Sequence, residues 1–475
     1  MNRGTAVLMA IIMIATPLAG CAGEDAQPHI DRVAELEASA AENKTAMEAD
    51  QATIAANEVQ IAANEAQIAA LEALIAAGEG DNTVLQNQNA HLISQVADLK
   101  VNVSEAYTEG YGEGYDDGYE NGASSGGSGV QSTLDVIIAR GSMKCGVKES
   151  QYGMGYLDSA TGVRSGLDIS YCRALAAAIG LNPDTDVEYI PASGSDRFEK
   201  LAAGTIDVLI RTTTWTTSRD ADLNADFAGM NFFDGQGILI REDVYPAADA
   251  GNSAAGLNGA NICVGIGTTT EGNMVDWFTS RDISFTSVPV ADAAEATAKF
   301  TSGECDAFTG DMSAMVAKKW QLDNDGDVGS DIWIASELMS KEPLGAAVRD
   351  YDTDWKDVVA WVWYGMVTAE EMGVTSSNYA AMASAACDGS DPGMCRLLTE
   401  NLGLGTNDNP LLNTWMQDVL SAVGNYGEAY DDAFCDGTYD GTSGSAAMSG
   451  CLIARSGTLN ALVSEGGIQY APPMR

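Results

Sequence analysis

The chain has 475 residues, too many for one core and enough for two or three domains. Its 24 Lys and Arg stand against 68 Asp and Glu, a net charge of −44. That balance argues against nucleic acid and against electrostatic attraction to anionic lipid, while leaving open what local charges do inside a pocket.

The N-terminus reads as an address. Arg3 supplies a positive start, Ala6 to Ala15 an apolar stretch, and Leu18-Ala19-Gly20-Cys21 a lipobox. Residues 1–21 are therefore expected to be a lipoprotein signal peptide, with Cys21 lipidated and anchored to the cell membrane. An ordinary secretory signal with an incidental cysteine is the plainer alternative. No later segment is apolar for long enough to span a bilayer.

Setting Cys21 aside leaves eight of the 9 cysteines, an even number suited to an oxidising compartment. They are Cys145, Cys172, Cys263, Cys305, Cys387, Cys395, Cys435 and Cys451. Neighbours in sequence make plausible disulfide partners, but eight cysteines admit many connectivities. Without a CxxC pair and with His91 far away, a metal site is not expected.

Residues 22–106 read as a coiled-coil stalk. Met47, Ile54, Ile61, Ile68 and Ile75 recur every seven residues, with Asn57 and Asn64 at the second seam position. A single solvated alanine-rich helix is the alternative. Residues 107–130 form a linker in which Tyr107, Tyr111, Tyr115 and Tyr119 alternate with glycines, ending in Ala123-Ser-Ser-Gly-Gly-Ser-Gly129.

From residue 131 the pattern changes to strands alternating with helices, an α/β architecture with mostly parallel strands. Strands are predicted at 142–147, 187–190, 206–210 and 262–266, another around Phe308, and helices at 167–179 and 197–203. Binding in such sheets occurs at the carboxyl ends of strands. Three candidate ends follow: Thr212 to Arg219, Gly267 to Glu271, and Gly310-Asp311. The first, together with Arg211 just before it, has five threonines, Trp215 and two arginines directly after an apolar run. An arginine fork matches the two oxygens of a carboxylate. An edge strand with a polar loop reads those residues equally well.

Those segments, in the order Gly166-Leu-Asp168, Gly204-x-x-Asp207, Thr214-x-x-x-x-Arg219, Gly267-Thr268-Thr269-Thr270-Glu271 and Asp306-Ala-Phe-x-x-Asp311, resemble the amino-acid-binding solute receptors of ABC importers. Arg211-Thr-Thr-Thr-Trp-Thr216, Phe233-Asp-Gly-Gln-Gly237, Ser340-Lys-Glu-Pro-Leu-Gly345 and Gly467-Ile-Gln-Tyr-Ala-Pro-Pro-Met-Arg475 narrow the resemblance to the general L-amino-acid-binding branch.

The resemblance implies a two-lobed periplasmic-binding-protein type II fold over 131–475. One lobe would comprise about 131–239 and 344–475, the other about 240–343, with closure on the ligand. It also implies the site. Arg219 would grip the ligand carboxylate, with donors from Thr214 and Thr269. Asp311, the Thr212 carbonyl and the Thr214 hydroxyl would receive the ammonium. Trp215, Arg211, Tyr152 and Tyr156 are candidates for the pocket wall. The partners implied are an L-amino acid and an ABC permease, with self-association of the stalk as a further option; no cofactor is implied.

Two other functions fit the same fold, a dehydratase or lyase and a ligand-sensing module. An enzyme of that kind needs a general acid or base in the cleft. The only histidines, His29 and His91, both precede the α/β region.

Overall fold

The computed structural model describes residues 131–475 apart from 326–327, 390 and 436–450, together with Gln60, Ala63, Asn64, Gln67 and Gln95. Those five early residues are helical, and the Gln60 side chain donates to Asn64 one turn on at 2.9 Å. The lipobox, the linker and the rest of the stalk lie outside the described residues. The chain divides into two compact units, residues 1–130 and 131–475.

The second unit opens with α1 (Thr133–Arg140), whose N-cap Ser132 accepts from the Leu134 amide. Strand β1 (Met143–Val147) is almost wholly buried, because parallel neighbours flank it on both edges. Those neighbours are β5 (Val187–Pro191) and β6 (Val208–Leu209). A small antiparallel sheet of β2 (Ser150–Gln151), β3 (Gly155–Leu157) and β4 (Arg164–Ser165) follows β1. It leads into α2 (Leu167–Ala178), which is buried nearly all round. Helix α3 (Arg197–Ala202) precedes β6, and α4 (Thr217–Asp222) follows it.

Strand β7 (Ala225–Arg241) is the spine of the unit. Its first part pairs antiparallel with β12 (Lys341–Arg349), as far as Gly235 opposite Lys341. From Gln236 onward it pairs with β10 (Ala307–Asp311), and at its end with β11 (Ile332–Ile334). The change of partner falls at Gly235/Gln236 and Ser340/Lys341, a few residues earlier on each pass than the sequence-based limits of 239 and 344. Ile238, Leu239 and Ile240 accordingly sit in the core of the inserted lobe.

That lobe contains β8 (Ala260–Gly265), α5 (Thr269–Thr279), β9 (Phe285–Val290), α6 (Ala293–Ser302) and α7 (Met312–Asp325). Strands β10, β8 and β9 run parallel. The whole sheet has the order β5-β1-β6-β12-β7-β10-β8-β9. It is parallel in its outer parts and antiparallel at β7 and β12, where the chain crosses between lobes. The long crossing strands explain why a purely alternating βα pattern undercounted antiparallel pairing.

The rest of the chain returns to the first lobe as helices: α8 (Thr353–Glu371), α9 (Tyr379–Ala386), α10 (Pro392–Thr399), α11 (Trp415–Val423) and α12 (Tyr426–Phe434). Of these, α8 packs on β7 and β12, while α11 and α12 pack on α2. Trp355 and Trp415 are fully buried there, and the indole N–H of Trp355 donates to the Asp207 carbonyl at 3.0 Å, so its polar tip is satisfied. Four disulfides join Cys145 to Cys172, Cys263 to Cys305, Cys387 to Cys395 and Cys435 to Cys451. The first fastens α2 to β1, beneath the strand ends that matter below. Among the described residues, no helix is long and apolar enough to cross a membrane.

Candidate functional site

The two lobes enclose a cavity of about 470 Å³ at the carboxyl ends of β1, β6, β8 and β10. All three sequence-predicted strand ends reach it. Arg211, Thr212, Thr214, Arg219, Thr269 and Asp311 line it, and so does Tyr152.

The segment after β6 is held in an unusual conformation. Thr212 has φ of 41°, a left-handed setting that costs a β-branched residue energy. Its amide donates to Asp168 at 3.1 Å, on the first turn of α2. Asp168 is buried, and its other carboxylate oxygen has no partner. Burial pushes its pKa up to about 6, against the pull of the Thr212 amide, Lys148 and Arg211. The chain then bridges to β12: the Trp215 amide donates to Pro343, and the Gly345 amide to Thr213. The Thr214 amide between them makes no backbone bond.

Arg219 is buried on α4. It donates to the Thr214 carbonyl at 2.9 Å and lies over the Phe198 ring. It makes no ion pair among the described residues; Asp226, a conceivable partner, pairs with Lys356 at 2.5 Å. Burial is the main force working against its charge, and Glu342 is the main one supporting it.

In the inserted lobe, α5 begins at Thr269, whose amide has no partner within the helix. Thr268 and Thr270 serve structure: the Thr268 hydroxyl donates to the Gly265 carbonyl at 2.7 Å and shares a 2.6 Å contact with Thr270. Asp311 ends β10. It does not cap the following helix α7, because the Ser313 amide goes to Asp234 on β7 instead. Burial and the neighbouring charge of Asp311 push Asp234 up to about 7. Burial also raises Asp311, with Lys148 the strongest influence the other way.

The hydroxyls of Thr214 and Thr269 do not face the cavity as free donors. Both converge on one oxygen of Glu342, at 2.5 and 2.8 Å, and stand 3.4 Å apart. Asn273 donates to the other Glu342 oxygen at 2.7 Å. Glu342 is buried on the return crossing. In the sequence it entered only as part of the Ser340-Lys-Glu-Pro-Leu-Gly345 motif, with no role of its own. As donors to a ligand these two threonines are left with their backbone amides, while their hydroxyl oxygens can still accept.

Trp215 is not in the wall. Its ring stacks on Phe227 at 5.4 Å with an interplanar angle of 9°, behind the loop. Tyr156 likewise stands behind Tyr152, ring centroids 4.2 Å apart. Two further residues missed by motif close the cavity between lobes. Gln151 receives Lys148 at 2.7 Å and donates to Ser313 at 2.8 Å. Arg197 on α3 reaches the Gly267 carbonyl at 3.3 Å. Among the described residues no group of three or more His, Cys, Asp or Glu is arranged to hold a metal.

The arrangement offers a buried guanidinium and the Thr214 amide from one lobe, and the Thr269 amide and the Asp311 carboxylate from the other. Chemically that suits a small zwitterion. Residues 143–423 match the family described as bacterial extracellular solute-binding proteins, family 3. The glutamate/glutamine/aspartate/asparagine-binding protein BztA of Rhodobacter capsulatus is 39% identical over 344 residues, 72% of this chain and 94% of its own. The general L-amino acid-binding periplasmic protein AapJ of Rhizobium johnstonii is 37% identical over 346 residues, 72% and 93% of the two chains. Among solved structures, an ABC transporter/periplasmic binding protein from Brucella ovis with glutathione bound is similar. It superposes with a TM-score of 0.64 at 38% identity, covering 73% of this chain and all of that one.

Proposed function

The chain belongs to the bacterial extracellular solute-binding proteins of family 3, and on that premise we propose that it captures L-amino acids outside the cytoplasm and delivers them to an ABC permease. The family is one of solute-binding proteins rather than enzymes. The observation that carries the reading is the unpaired, buried Arg219 facing a cavity whose far side ends in Asp311.

Arg219 takes the α-carboxylate through charge-assisted hydrogen bonds, with the Thr214 and Thr269 amides beside it. Asp311 takes the ammonium, and the strained Thr212 presents its carbonyl there. Arg219 and Asp311 belong to different lobes, so a ligand carrying both charges favours the closed arrangement. The lipobox supports anchoring through Cys21, with residues 22–130 as a spacer ahead of the binding unit.

Titration calorimetry with a panel of L-amino acids tests this. Several should bind, and Arg219→Ala should weaken all of them by about 100-fold, since breaking a buried charged pair costs about 2–5 kcal/mol. A panel that releases no heat and leaves the melting temperature unmoved sinks the proposal.

A further inference from the structure

The cavity wall reverses the charge balance of the chain. Overall, acids outnumber bases almost threefold. The wall carries Lys148, Arg197, Lys200, Arg211, Arg219 and Lys318 against only Glu149, Asp196, Asp292 and Asp311.

Several of these are accounted for. Lys200 pairs with Asp196 at 2.7 Å, and Glu149 with Arg164 at 2.5 Å. Lys318 donates to Gln321 at 2.7 Å. Asp292 caps α6. Arg219 and Asp311 are matched by the two charges of an amino-acid head group. Lys148 donates to Gln151 and Arg197 to the Gly194 and Gly267 carbonyls, so what remains is their charge: among the described residues Lys148, Arg197 and Arg211 make no ion pair. Arg211 works against the charge of both Lys148 and Arg197, which burial already opposes. Lys148 is brought down to about 8.

Their hydrogen bonds are incomplete. The buried Nε atoms of Arg197 and Arg211 have no partner. Guanidinium charges in a desolvated wall are costly unless an anion balances them. The protein's own acids near them are largely engaged. Asp168 lies behind the wall, gives one oxygen to Thr212 and keeps the other unpartnered, and with Asp311 it supports the charges of Arg211 and Lys148. Asp196 serves Lys200 and the Ser193 amide. Glu342 serves the threonines and Asn273. A cavity of about 470 Å³ falls within the roughly 300–1,000 Å³ of sites for drug-sized ligands, so there is room beyond the head group.

We infer that Arg211 and Lys148, with Arg197 beside them, form a second anion subsite, so that the preferred ligands are amino acids or short peptides bearing a second carboxylate. This rests on the amino-acid reading above and narrows it. The carboxylate comes from an acidic side chain or from the far end of a small peptide.

Calorimetry on the full chain with L-glutamate, L-glutamine, L-alanine and glutathione tests the inference. Glutamate and glutamine match in size and differ in one charge. Glutamate should bind at least about tenfold tighter, and Arg211→Gln and Lys148→Met should each collapse that ratio toward one. Melting curves check that each variant folds, and Lys148→Met carries the test if Arg211→Gln does not. Glutathione tighter than glutamate assigns the subsite to a peptide carboxylate; the reverse assigns it to a side chain. Glutamine and alanine binding as well as glutamate, or a ratio unchanged in both variants, overturns the subsite alone. No binding by any of the four overturns the amino-acid reading with it.

Discussion

Asp234 shows how one buried side chain couples the site to pH. Its carboxylate accepts the Gly235 and Ser313 amides on the crossing strand, close to Asp311. Burial, and then the charge of Asp311, hold its pKa near 7, against an ordinary value of 3.8. A group with a raised folded-state pKa contributes stability that is present below its unfolded value and lost as pH rises through its folded value. The window here runs from about 4 to 7. We expect Asp234→Asn, which keeps an acceptor and removes the charge, to raise the melting temperature of the ligand-free protein by about 3 °C at pH 8 and by less at pH 5. Equal shifts at the two pH values would refute this. At this scale the sequence was informative where a residue's chemistry is rare in its context. An arginine after a run of threonines, or an aspartate ending a strand, stands out. Asp234 and Glu342 fell within motifs of the resemblance but received no role, because in an acidic chain one more acid carries no signal. Trp215 stood out and stacks behind the loop, because an aromatic beside a pocket and an aromatic behind it look the same in one dimension.

Elements were legible where burial is continuous and punctuation is local. Strand β1, helix α2 and strand β8 begin or end within a residue or two of their predicted limits. Between 206 and 210 only Val208–Leu209 is a strand, although Ile206 and Ile210 are also buried. Apolar pattern reports burial, while strand pairing needs a partner in register, and β12 meets β6 at a single position. The start of α2 depends on a glycine. Gly166 has φ of 113°, and a Cβ there would fall 2.2 Å from the Met154 carbonyl oxygen, which itself accepts from the Asp168 amide. We expect Gly166→Ala to destabilise the second unit by about 2 kcal/mol or more, through strain at a positive φ and a backbone clash. Because Asp168 orients Thr212, amino-acid affinity should fall with stability. Denaturant unfolding with parallel calorimetry checks both, and an unchanged midpoint would show that the loop relaxes freely.

At the scale of the whole binding unit, the question is what holds the lobes together before a ligand arrives. Contacts that bridge them around the cavity include Gln151 to Ser313, the Ser313 amide to Asp234, Arg197 to the Gly267 carbonyl, and Thr214 with Thr269 and Asn273 through Glu342. The last is the strongest by chemistry, since its acceptor is a buried carboxylate with three donors and hydrogen bonds to charged groups contribute about 1.5–3 kcal/mol each. Open and closed forms of two-state proteins typically differ by a few kcal/mol. One carboxylate receiving hydroxyls from both lobes is therefore enough to set the balance. Glu342→Ala should leave Thr214, Thr269 and Asn273 without their acceptor and shift the ligand-free protein toward the open form. Small-angle scattering would then give a larger radius of gyration for the ligand-free variant than for the parent, with the two converging at saturating amino acid. The variant should also bind more weakly, because ligand must then supply all of the closing energy. Identical radii without ligand would mean that the remaining contacts hold the lobes without Glu342, and that Glu342 only fills the space behind the threonines.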